Sequence, residues 1–282
     1  MRKAATNMQT NFVTRYKHYL VLAISLIGAS TTMAENVTVN EVNLSYIVSG
    51  SGPPLYLLHG GMESRKSFKN QIPVLADHFT VVAVDSRGQG HSGPTNEEIS
   101  YELMSQDVLA LAKHIGHTQF SIMGSSDGGV TAMTIAMRNP EKVDKLVLLG
   151  TNFHFHAYSA EMRSAMTNYE WDGDTDPLKY PGIFIEHYLS GREDLTDFDR
   201  FLKQMSVMWT TTPVYESTDL KKIQAKTLII NGDREDTDLN HVLEMYVSIP
   251  NSQLFVVPGG THYAMLTHAE LVNRVVSAFL RD

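Results

Sequence analysis

Between Leu55 and Val257 the chain repeats one unit: a short, continuous apolar run, then a stretch with apolar residues three and four apart. The runs are Leu55–Leu58, Thr80–Val84, Phe120–Met123, Leu146–Leu149, Thr227–Ile230 and Leu254–Val257. A strand buried on both faces loses the alternation of a half-exposed one, so such runs read as strands inside a covered sheet. The intervening stretches read as helices. Phe68, Ile72, Val74 and Leu75 fit one stripe, and Ser100 is placed to cap a helix carrying Leu103, Met104, Val108, Leu111, Ala112 and Ile115. Gly128–Met137 is stopped by Asn139-Pro140, and Val242–Val247 and Leu271–Leu280 complete the set. Strands joined through helices pair in parallel. The expected class is α/β, with a mostly parallel central sheet and helices on both faces. Val37–Val42 and Leu44–Val48, ahead of a Gly/Pro break, read as a hairpin or edge pair.

Two segments depart from the rhythm. Thr151–Leu220 shows no clear buried strand but holds Phe153, Tyr158, Met162, Met166, Tyr169, Trp171, Tyr180, Phe184 and Trp209 among its large side chains. It is expected to form a helical cap over one end of the sheet, leaving residues 35–150 and 221–282 as the core. Residues 1–34 hold Arg2, Lys3, Arg15 and Lys17, no acid, and the ten-residue apolar run Tyr19–Gly28. Small residues follow, and Thr32-Met33-Ala34 resembles a cleavage signal. Basic, apolar and small-residue regions in that order describe a secretory signal peptide, so export to a periplasm or the exterior is expected. The run is about half of what a bilayer-spanning helix needs.

Composition narrows the function. With 23 basic against 31 acidic side chains the formal charge is −8. Loss of the leader removes four basic residues and no acid, leaving 19 against 31, or −12. That sign disfavours nucleic acid and anionic lipid as partners, and a small-molecule substrate is expected instead. The absence of cysteine excludes disulfide scaffolds, zinc ribbons and thiol enzymes.

The sharpest chemical signal is Gly124-Ser125-Ser126-Asp127-Gly128, a G-x-S-x-G placed between an expected strand and an expected helix. Small residues let the strand turn into the helix within one elbow, which lifts a serine oxygen clear of the sheet at a helix N-terminus. Ser125 as nucleophile would need glycine at 123, where methionine stands, so Ser126 is the candidate. Asp127 as nucleophile would need glycine at 125 and is rejected.

At these residues the sequence resembles the α/β-hydrolase family, from about Val37 to the end of the chain. His59-Gly60-Gly61 resembles the family's oxyanion turn, and Asp85-Ser86-Arg87-Gly88-Gln89-Gly90-His91-Ser92 its loop after the fourth strand. Asn231-Gly232-Asp233 resembles the acid loop, and Pro258-Gly259-Gly260-Thr261-His262 the histidine loop, in the order serine, acid, histidine. The resemblance implies a serine hydrolase with His262 as the base. Carboxylates at Asp233, Glu235, Asp236 and Asp238 cluster after the strand Thr227–Ile230. The acid is Glu235, Asp236 or, last in order, Asp233: Glu235 stands at the usual spacing, whereas Asp236 keeps the commoner side-chain length. Backbone N–H groups of Gly61 and Asp127 would form the oxyanion hole. A carboxylic ester of small or medium size is the expected substrate, and activity is expected to fall below about pH 6.5 as His262 protonates. C–C bond, amide and perhydrolase chemistry on the same triad, or a catalytically weak receptor, are the alternatives.

Other patterns carry less. Gly88-Gln89-Gly90-His91-Ser92-Gly93 matches GxGxxG, but Pro94 follows where a dinucleotide site needs a helix. His59 is expected to be structural, and His154 and His156 to be surface or pocket residues, because nothing near them completes a metal site. No cofactor and no metal are expected.

Overall fold

The computed structural model of the protein describes residues 34–95, 97–167, 182–191 and 196–282. Among them, β1 (Ala34–Val39), β2 (Val42–Ser49), β3 (Pro54–Leu58), β4 (Thr80–Val84), β5 (Phe120–Ser125), β6 (Val143–Leu149), β7 (Lys226–Gly232) and β8 (Ser252–Val257) form one sheet. Its order is β1-β2-β4-β3-β5-β6-β7-β8. Only β1–β2 and β2–β4 pair antiparallel; the other pairings are parallel.

The first two strands correct the sequence reading in one detail. Asn40 and Glu41 have φ of 43° and 62°, so the hairpin turn falls inside the expected strand Val37–Val42, and Val42 opens β2. Two consecutive left-handed residues match the twist of the flanking strands.

The helices are α1 (Ile72–Ala76), α2 (Tyr101–Ile115), α3 (Asp127–Arg138), α4 (Ala160–Thr167), α5 (Gly182–Leu189), α6 (Phe198–Thr211), α7 (Ser217–Leu220), α8 (Leu239–Ser248), α9 (Ala264–Thr267) and α10 (Ala269–Arg281). β3 shows how the layers are assigned. Leu55 and Leu57 pack with Leu75 of α1 and Val276 and Phe279 of α10. Tyr56 and Leu58 pack with Val108 and Leu111 of α2 and Ile135 of α3 on the opposite face. Successive strand residues point to opposite sides, so a continuous apolar run feeds two cores at once. Ser100 caps α2 as its position suggests, its Oγ accepting from the Leu103 N–H at 3.2 Å, and Gly116 ends the helix at φ 91°.

Between β6 and β7 the described elements are helical. α6 buries Phe198, Phe201, Leu202 and Met205, and Tyr188 of α5 meets Phe198 edge-on at 4.7 Å between ring centres. Many of the large side chains of this segment therefore pack on one another. Tyr169, Trp171, Tyr180, the Phe184 side chain and the expected leader through Met33 lie outside the described residues. No described helix is long and apolar enough to cross a membrane.

Candidate active site

Ser126 sits between β5 and α3 with φ 50° and ψ −118°, a conformation that L residues rarely adopt. The two glycines around it are required by contact. A Cβ on Gly124 would lie 2.3 Å from the Gly128 carbonyl oxygen, and one on Gly128 would lie 2.0 Å from that of Leu58. The elbow therefore closes against β3 only if both positions lack a side chain. The strained turn is held by the Ser126 N–H donating to Leu149 O at 2.9 Å. Ser125 is buried at 4% exposure, whereas Ser126 lines a cavity of about 440 Å³.

His262 lines the same cavity from the loop after β8. Its Nδ1 lies 3.4 Å from Glu235 Oε1, and the Glu235 side chain is 2% exposed. Gly150 leaves the space for this pair, since a Cβ there would come within 2.6 Å of Glu235 Oε1. The other acids of the cluster have different surroundings. Asp236 lines the cavity. Asp233 Oδ1 accepts from the Gly259 N–H at 2.7 Å and so ties the acid loop to the histidine loop. Asp238 caps α8 by accepting from the Asn240 N–H at 2.9 Å.

Electrostatics favour the protonated imidazole. Burial opposes the charge on His262, but the hydrogen bond and charge of Glu235, helped by Glu63 and Asp127, outweigh it and raise the pKa above the ordinary histidine value. The expected pH limb therefore lies higher than the unperturbed value used in the sequence reading.

Gly61 and Asp127 both border the cavity. As the first residue of α3, Asp127 has a backbone N–H with no acceptor inside the helix. Its side chain has a role that no motif signalled. The buried carboxylate accepts from Tyr101 Oη at 2.8 Å and from Trp209 Nε1 at 2.8 Å, joining α2 and α6 to the elbow. Burial raises its pKa against the opposing effect of these two donors. Glu63 is the other residue missed. It lies in the turn after His59-Gly60-Gly61 and lines the cavity although only 4% exposed.

His59 is a framework residue. Its Nε2 accepts from the Ser86 N–H at 2.9 Å, which leaves Nδ1–H to donate to Gly60 O at 2.7 Å. The Asp85 loop is pinned in a similar way: the carboxylate accepts from the Arg65 N–H and Nη1, both at 2.7 Å, and from the His91 N–H at 2.9 Å. Within the GxGxxG pattern, Gly90 is needed because a Cβ would collide with Asp85 Cγ at 2.5 Å, so the turn wraps a carboxylate. His154 Nδ1 accepts from the His156 N–H at 3.1 Å, and neither ring lines the cavity. No cluster of metal-ligating side chains occurs among the described residues.

A strained serine between parallel strand and helix, with a paired histidine arriving from the last strand, is the architecture of a hydrolase. A family model described as alpha/beta hydrolase fold matches residues 53–181. The "Serine hydrolase BPHL" of Mus musculus is 27% identical over 269 residues, covering 92% of this chain and 89% of that protein. The "2-hydroxy-6-oxo-6-(2'-aminophenyl)hexa-2,4-dienoic acid hydrolase" of Metapseudomonas resinovorans is 24% identical over 275 residues, covering 91% and 94%. The crystal structure of carboxylesterase CesB from Bacillus subtilis superposes with a TM-score of 0.70 at 22% identity, covering 88% of this chain and 91% of that one. The chain has the alpha/beta hydrolase fold, and these similarities support hydrolase activity.

Proposed function

We propose that this protein is an exported serine hydrolase that cleaves a carboxylic ester of small or medium size through an acyl-enzyme. The observation that carries the reading is the meeting of Ser126 and His262 in one cavity, with Glu235 behind the imidazole. A serine hydroxyl is a weak nucleophile near neutrality and needs a base at the moment of attack. His262 takes the Ser126 proton as Oγ bonds to the ester carbonyl carbon, and the carbonyl electron pair becomes an oxyanion facing the Gly61 and Asp127 N–H groups. The oxyanion collapses and expels the alcohol, which receives its proton from His262. Water, deprotonated by the same histidine, then attacks the acyl-enzyme and releases the acid. Glu235 fixes the imidazole tautomer and stabilises the imidazolium.

Met162 and Met166 of α4 and Trp209 of α6 border the cavity, in keeping with a cap that gives an acyl or alcohol group an apolar wall. The relative from Metapseudomonas resinovorans favours a second reading, cleavage of a C–C bond in a carboxylated substrate. The acids Glu63 and Asp236 around the cavity weigh against it, because carboxylates repel a carboxylate. A p-nitrophenyl ester series of increasing acyl length tests the reading. Turnover peaking at a short or medium chain is expected, and the absence of ester turnover in folded protein contradicts it. The export part rests on the first 34 residues, and N-terminal sequencing of protein from the cell exterior or periplasm tests it.

A further inference from the structure

Glu63 is a buried carboxylate that the mechanism above does not use. Its Oε2 is shielded from solvent and has no hydrogen-bond partner among the described residues, although the residue lines the cavity that holds Ser126. An unsatisfied buried acceptor is costly, so a carboxylate kept in this state beside the nucleophile calls for a physical explanation. Its position is close to the reacting centre. A Cβ on Gly60 would lie 3.1 Å from Glu63 Oε1 and 3.2 Å from Ser126 Cβ, so the carboxylate and the serine flank one turn.

The surroundings share its sign. Asp127 and Asp236 also border the cavity, and no described residue lining it is lysine or arginine. Tyr101 and Trp209 hold Asp127 in place as neutral donors and bring no positive charge to the cavity. His262 is engaged with Glu235. His187 of α5 lies near Glu63, but burial lowers its pKa and keeps it neutral, so it supplies no counter-charge.

We propose that the cavity selects substrates carrying an alkylammonium group, and that Glu63 is the residue that receives it. The inference rests on the serine-ester reading and adds a substrate class to it. An ammonium N–H at the cavity wall gives the Glu63 carboxylate a charged donor, and a charge-assisted bond is among the stronger single contacts available to a ligand. Glu63 also favours protonated His262 through space, and that alone would change every ester alike. Selectivity between matched esters separates the two roles.

The test uses isosteric ester pairs with the purified full chain. 4-Nitrophenyl 4-(aminomethyl)benzoate is compared with the 4-ethylbenzoate, and 4-(aminomethyl)benzyl acetate with 4-ethylbenzyl acetate, which places the cation on either side of the ester. Wild type is expected to prefer the ammonium member of at least one pair by about tenfold or more in kcat/KM, and Glu63→Gln to bring that ratio near one. Benzylammonium is expected to inhibit wild type competitively while benzyl alcohol does not, a readout that needs no variant. Turnover of the neutral esters with no ammonium preference and no such inhibition overturns the proposal and leaves the serine-ester reading standing. A preference that survives Glu63→Gln removes Glu63 as the receiving residue. No turnover of any ester, with Ser126 unlabelled by a fluorophosphonate, overturns both.

Discussion

Glu235 holds His262 through one oxygen: Oε1 lies 3.4 Å from Nδ1, while the buried Oε2 has no hydrogen-bond partner among the described residues. The extra methylene of glutamate is accommodated because Gly150, at φ 53°, leaves the neighbouring space empty. Glu235→Gln keeps the shape and removes the charge that orients the imidazole. It is expected to lower kcat by about a thousandfold or more, whereas Asp236→Asn lowers it by less than about tenfold. Steady-state kinetics on a p-nitrophenyl ester compare the two, and the opposite ranking would move the acid to Asp236.

The pH profile follows from the direction of the histidine shift. His262 acts as a base only when neutral, and Glu235 raises its pKa despite burial. The acid limb of kcat/KM is therefore expected to have an apparent pKa above about 6.5, the unperturbed value. Glu63→Gln, which removes one of the charges favouring the imidazolium, is expected to move that limb to lower pH. A wild-type limb at or below the unperturbed value contradicts the electrostatic account.

Two glycines separate steric need from backbone need. A Cβ on Gly128 would stand 2.0 Å from Leu58 O, and neither backbone can move without opening the elbow. Gly128→Ala is expected to cost about 3 kcal/mol or more, or to prevent folding. A Cβ on Gly259 would meet nothing within 4 Å, but φ is 71°. Gly259→Ala is expected to cost about 1–2 kcal/mol, the left-handed penalty alone. Urea unfolding of both variants checks the order.

Acid sensitivity of the fold has a named contributor. Burial beside His154 lowers the His241 pKa to about 4, and its Nε2 accepts from the Phe153 N–H at 3.1 Å. Unfolded, this histidine takes a proton near pH 6.5; folded, it resists down to about pH 4. Stability from this group is thus complete above the unfolded value and is lost as pH falls between the two, by up to about 3 kcal/mol. His241→Asn is expected to flatten that part of the stability curve. An unchanged slope in urea melts across this window would contradict the assignment.

The sheet was legible because strands buried on two faces carry continuous apolar runs, and β4 appears with the bounds read from its sequence, Thr80–Val84. The Asn40-Glu41 turn was not, because neither residue is glycine and the left-handed pair is imposed by the register of β1 on β2. At the site, the elbow and the histidine loop could be read from glycine spacing, which records where backbones touch. Glu235 and Asp236 could not be ranked in that way. Their difference lies in the room left by Gly150, a residue distant in sequence. Trp209 reaches Asp127 across 82 positions, and Glu63 faces the cavity only once β3 lies beside the elbow. Contacts made by tertiary packing leave no local pattern.

The most direct test of the proposed triad is fluorophosphonate labelling of the folded protein beside Ser125→Ala and Ser126→Ala. Wild type and Ser125→Ala are expected to be labelled and to retain substantial ester turnover, while Ser126→Ala stays folded, unlabelled and inactive. Labelling that survives Ser126→Ala and disappears with Ser125→Ala, or no labelling of folded wild type at all, would contradict the proposed triad.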